Sequence, residues 1–96
     1  MMNINMHDWI LLSLLIDWGK GALIIKLLNS NSEPVVIKAN GVKLINIPKG
    51  DEWGESVSVN ELIGLDRNSD GFERMKIEIQ SGDVIEVVAE EILLPN

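Results

Sequence analysis

Apolar and polar positions alternate along much of this chain. Met75, Ile77 and Ile79 are interleaved with Lys76, Glu78 and Gln80, and Ile85, Val87 and Ala89 with Glu86, Val88 and Glu90. A period of two places every second side chain on one face, as a half-buried antiparallel strand requires. Val35, Ile37 and Ala39 repeat the pattern less cleanly against Val36 and Lys38. Residues 10–16 and 22–28 differ, because both of their faces are apolar. In the first run Ile10, Leu12, Leu14 and Ile16 occupy one face, and Leu11 and Leu15 the other. A strand of that kind needs cover on both sides, from a second sheet with a helix, from a loop, or from another subunit.

Turn residues separate these runs. Asp17-Trp18-Gly19-Lys20-Gly21 divides the first two, and Asn29 to Pro34 divides the second from the third. Asn40-Gly41 predicts a further hairpin turn, since both residues tolerate positive φ. Ser81-Gly82-Asp83 predicts the last one. A short helix is predicted at 60–65, where Asn60 could cap Glu61-Leu62-Ile63-Gly64-Leu65. Ile and Val together number 21 against 3 Ala, which favours a pleated surface over helix. The expected architecture is one domain over residues 1–96, mostly all-β. It is a small antiparallel β-sandwich or partly open barrel of about six to eight strands, with at most one short helix.

Composition narrows the function by exclusion. The 96 residues carry a net charge of −7, which disfavours nucleic-acid binding through the overall field. The charge is uneven. Residues 1–50 are net +2 and residues 51–96 net −9, so the acidity belongs to the C-terminal half, as a solvated face or as a surface for a basic partner or cation. With no Cys there is no disulfide, thiolate site or Cys nucleophile, and the single His excludes a multi-histidine metal centre within one chain. No cofactor is expected. The stretch Trp9–Leu28 is broken by Ser13, Asp17, Lys20 and Lys26, so it is not read as a membrane span. The N-terminus lacks the features of a secretory signal, and a cytoplasmic location is expected.

Few residues suggest chemistry. Asp66-Arg67-Asn68-Ser69-Asp70-Gly71 matches the first half of an EF-hand loop, but Ile77 stands where the bidentate Glu belongs. Glu73 could complete an irregular calcium site, and the alternative is a turn shaped by local backbone bonding. His7-Asp8 could form an acid–base pair. On an extended segment, however, neighbours point to opposite faces, so His7 is expected to tie down the chain before the first strand. No Ser lies in a nucleophile elbow, and the adjacent carboxylates Asp51/Glu52 and Glu90/Glu91 give no sign of a catalytic pair across a cleft. An enzyme is therefore not expected. Trp9 begins a strand and is expected in the core. Trp18 and Trp53 lie in turns, either plugging the end of a sandwich or serving recognition.

His7-Asp8, Leu14-Leu15-Ile16-Asp17-Trp18, Gly21 and Leu23-Ile24-Ile25 together resemble the opening of small bacterial β domains. Some of these are grouped with immunity proteins of polymorphic toxin systems, notably the immunity protein 50 type. Asn40-Gly41-Val42-Lys43-Leu44-Ile45 is similar to a strand of such domains, without its aromatic, and Gln80 to Val87 to their late hairpin. The resemblance implies an all-β fold, permits a toxin-neutralising role and transfers no catalytic residue. The expected function is a non-catalytic binding module for a protein partner, with Trp18, Trp53, Asp51, Glu52 and Glu55 as contact residues. One alternative is a self-associating domain that dimerises through the apolar first hairpin, and another is the irregular calcium-binding domain at 66–73.

Overall fold

The computed structural model describes residues 5–50, 58–67 and 69–95. Six strands follow one another: β1 (Ile10–Asp17), β2 (Ala22–Leu28), β3 (Pro34–Asn46), β4 (Val59–Arg67), β5 (Glu73–Ile79) and β6 (Val84–Leu93). They form one antiparallel sheet in the order β1-β2-β3-β6-β5-β4. Two three-stranded meanders thus pair through their last strands, β3 and β6. The first strands, β1 and β4, are the edges. These edges touch at one corner, through a bridge between Ile10 and Ser58 and through hydrogen bonds from Asp8 N–H to the Val59 carbonyl and from Val59 N–H to the Trp9 carbonyl. No helix is present among the described residues, and none there is long and apolar enough to cross a membrane.

The alternation read from the sequence sets the inner face. Met75, Ile77, Ile79, Ile85, Val87, Ala89, Ile37 and Ala39 are buried together with Leu23, Ile25, Leu27, Val59 and Ile92. Trp9 joins them as expected, and so does Met6, which lies ahead of any periodic run and carries no sequence signal for burial. Residues from five strands of one sheet therefore share a core with no helix among the described residues to cover it, so the sheet bends around its own inner face.

That bend explains why Asn40-Gly41 is not a turn. β3 continues through it for 13 residues. Pro34 to Ala39 pair with β2, from Pro34↔Leu28 to Ala39↔Leu23, and Lys38 to Asn46 pair with β6, from Lys38↔Leu93 to Asn46↔Glu86, so Lys38 and Ala39 are paired on both sides. Gly41 takes φ 63° within the β6 pairing, just past the end of the β2 pairing at Ala39 and beside an irregularity between Val42 and Leu44. The same tolerance of positive φ that suits a hairpin here serves a bend within a strand.

The helix expected at 60–65 is also replaced by a strand. Val59, Leu62 and Leu65 turn to the core, β4 pairs with β5, and Gly64 sits at φ 69° within a register shift. The Asn60 side chain donates to Glu78 Oε1 at 2.7 Å rather than capping a helix. The other predicted turns form as read. Asn29 organises the β2–β3 turn, its Oδ1 accepting from the backbone N–H groups of Asn31 and Glu33. Gly82, at φ 99°, occupies the β5–β6 turn.

Candidate functional site

β1 is an edge strand, and among the described residues nothing covers its second apolar face as the two-faced pattern required. Opposite β2 it places Leu11 against Leu27, Leu14 against Ile25 and Ile16 against Leu23, all toward the core side. Ser13, Leu15 and Asp17 stand opposite Lys26, Ile24 and Ala22 on the outer side, and Leu12 is the extra residue of a bulge. Leu11 and Leu14 pack on the core. Leu15 is 63% exposed, and Leu12 and Ile16 are each 48% exposed.

The β1–β2 turn lifts Trp18 beyond this edge. Asp17 Oδ1 accepts from Lys20 N–H, Gly21 N–H donates to the Trp18 carbonyl, and the Gly21 carbonyl accepts from Val42 N–H of β3. With its backbone held in this way, the Trp18 side chain is 92% exposed. Of the two roles considered for Trp18, the core plug is excluded by that exposure. Between the turn and the second half of β3 lies an open groove of about 530 Å³. Ile16, Trp18, Val42, Leu44, Ile45 and Ile47 give it an apolar lining, and Asp17 and Lys43 supply charge. Lys43 Nζ lies 5.3 Å from the centre of the Phe72 ring. Such a surface can bury apolar side chains, and it holds no nucleophile beside a base.

Trp53, Asp51, Glu52 and Glu55, expected as contact residues with Trp18, lie outside the described residues. The groove residues Leu44 and Ile47 were not singled out in the sequence, because they are brought to Ile16 only by the bend in β3. The apolar character of both faces of β1 was the signal for the rest.

Two polar clusters occupy other corners. His7 and Asp8 are not on an extended segment: Asp8 takes φ 68°, and His7 Nε2 comes to 3.6 Å from Asp8 Oδ1. The pair is used to fasten the chain. His7 Nδ1 donates to the Asn60 carbonyl at 3.0 Å, and Gln80 Nε2 donates to Asp8 Oδ1 at 2.6 Å. This matches the anchoring role expected of His7, by a geometry the extended reading did not foresee. In the β4–β5 hairpin, Asp70 Oδ1 accepts from Phe72 N–H, and Arg67 donates to the Gly71 carbonyl. Glu73 Oε1 accepts from Ile92 N–H. Asn68 lies outside the described residues. Among the described residues, no group of three or more His, Cys, Asp or Glu could hold a metal ion.

No family model matches the chain, and no curated protein matches it. Among solved structures, it is similar to the crystal structure of an uncharacterized protein from Neisseria gonorrhoeae, with a TM-score of 0.61 and 17% identity. The match covers 97% of this chain and 96% of that one. At that identity the likeness shows a shared all-β fold over nearly the whole length of both chains.

Proposed function

We propose that this protein is a non-catalytic binding module that takes an extended polypeptide onto the open edge of β1, beside the Trp18 turn. The observation that carries this reading is the exposure of Leu12, Leu15, Ile16 and Trp18 on one edge of the sheet. Beyond the bridge of Ile10 to Ser58, no described residue pairs with this edge of β1; an edge of that kind offers its backbone N–H and C=O groups to an incoming strand, and flanking apolar side chains add burial. The opposite edge is guarded. β4 carries Glu61, Asp66 and Arg67 and two register shifts, devices that discourage strand addition. β1 has one bulge, at Leu12, and no charge between Ile10 and Ile16.

The scaffold for this role is a partly open barrel, a single bent sheet whose edges meet at Ile10 and Ser58 and part toward the Trp18 end. A toxin-neutralising role of the immunity type would be one use of such a surface, with a foreign chain on β1. The direct test is a panel of ten-residue peptides with alternating apolar positions, titrated against the wild type and Leu15→Lys by fluorescence polarisation. Binding weakened at least about tenfold in the variant supports the reading. Peptides that bind both proteins alike, or that bind neither where the wild type is monomeric, overturn it.

A further inference from the structure

We infer that the strand seated on β1 is β1 of a second copy of this chain, added antiparallel about a two-fold axis at Leu15, so that two sheets join into one. This rests on the reading of β1 as a docking edge, and it names the occupant.

The faces of β1 select that axis. In an antiparallel pair, residues directly opposite share a face of the sheet. Ser13, Leu15 and Asp17 face outward, and Leu14 and Ile16 face the core side. An axis at Leu15 sets Leu15 opposite Leu15, Leu14 opposite Ile16, and Ser13 opposite Asp17 of the second copy. All five residues from Ser13 to Asp17 keep their faces. An axis at Leu14 instead sets Asp17 opposite Leu11, which packs on the core. An axis at Ser13 sets the outward Leu15 opposite that same Leu11.

Charge agrees with the same register. Lys26 stands next to Ser13 on β2, on the outer face. The incoming Asp17 would lie on the far side of Ser13 in the same row, two strand spacings (about 10 Å between Cα atoms) from Lys26. A lysine side chain reaching across a serine can meet it. Symmetry supplies the pair twice, and Asp17 is the one charge on β1. Such exposed pairs set register more than affinity. The row beside it, Ile24–Leu15–Leu15–Ile24, is apolar throughout. Trp18 of each copy arrives beside Leu12 of the other, bringing together two exposed side chains. The contact is made by β1 and the β1–β2 turn, which belong to the half of the sequence that is net +2. A two-fold contact of this kind is closed, and it removes the open edge from both copies.

The chain has no Cys, so Leu15→Cys carries one thiol per copy. Across the axis the two Cβ atoms would be about 4.5–5.5 Å apart, close to disulfide range. Sedimentation velocity of the full chain should show a dimer. Leu15→Lys, with an unchanged far-UV spectrum, should raise the dimer dissociation constant at least about tenfold. Leu15→Cys should oxidise to a covalent dimer at least about tenfold faster than Asn31→Cys, whose thiol would sit on the exposed β2–β3 turn. A monomeric wild type at millimolar concentration, a dimer indifferent to Leu15→Lys, or equal cross-linking at the two positions would overturn the inference. A monomer that still binds peptides through Leu15 would leave β1 a docking edge for a foreign chain. A monomer that binds none would remove both readings.

Discussion

Gly41 and Glu90 face each other across the β3–β6 pair so closely that a Cβ on Gly41 would lie 2.6 Å from Glu90 Cδ and 2.7 Å from its Cγ. The Glu90 side chain lies over Gly41, just past the point where the pairing of β3 with β2 ends. Positive φ and lack of space thus act at the same residue, and that residue controls how the two meanders meet.

Gly41→Ala should therefore destabilise the fold. The left-handed backbone alone costs roughly 1–2 kcal/mol for a non-glycine residue. Glu90 is exposed and its side chain can rotate toward solvent, so its part of the penalty should be smaller. Chemical denaturation of Gly41→Ala, Glu90→Ala and the double variant separates the two. The double variant should recover the steric part and retain the backbone part. Full recovery would show that φ at Gly41 is unimportant.

Gln80 and Asp8 join the β5–β6 turn to the segment before β1, across 72 positions of sequence. Gln80→Leu removes the hydrogen bond to Asp8 and a weaker one to the Val59 carbonyl. A loss of about 1–2 kcal/mol is expected, since one acceptor is charged. Amide exchange should rise at Asp8 and Val59, whose N–H groups bond across this corner, before it rises in β5 and β6. Uniform loss of protection would mean that the corner is not a separate unit.

Trp18→Ala should leave thermal stability within about 0.5 kcal/mol of the wild type, because the side chain is almost wholly exposed. It should weaken self-association in sedimentation. A clear drop in melting temperature would mean that Trp18 packs within its own chain.

Asp70→Asn should preserve the β4–β5 turn, because an amide oxygen can accept from Phe72 N–H as the carboxylate does. Thermal melts of wild type and variant should coincide within about 0.5 kcal/mol, with or without millimolar calcium. A calcium-dependent rise in the wild type that Asp70→Asn removes would instead establish an ion site in this hairpin.

Much of the fold is legible in the residues. The alternation of Met75, Ile77 and Ile79, and of Ile85, Val87 and Ala89, reports burial because a strand exposes each face at every second residue. Asn29 and Ser81-Gly82-Asp83 report turns because their side chains and backbones favour them locally. These properties depend on near neighbours alone. The role of Asn40-Gly41 does not. Positive φ is compatible with a turn and with a bend, and the choice is made by β6, which pairs with β3 on both sides of Gly41, at Asn40 and at Val42. Residues 60–65 go the same way: a local cap and short helix lose to the pairing of β4 with β5, which buries Val59, Leu62 and Leu65 together. The candidate site divides similarly. That both faces of β1 are apolar is visible in the sequence, but the strict alternation that groups Leu11 with Leu15 is broken by the bulge at Leu12, which sets Leu11 on the face of Leu14 and Ile16; the place of β1 at the edge, and so the exposure of Leu15 and Trp18, follows from strand order. Local periodicity determined that most of this chain would be built of strands and, in β5 and β6, which face would be apolar. Tertiary structure decided which strand was left at the edge, because pairing is a long-range choice that no window of neighbouring residues contains.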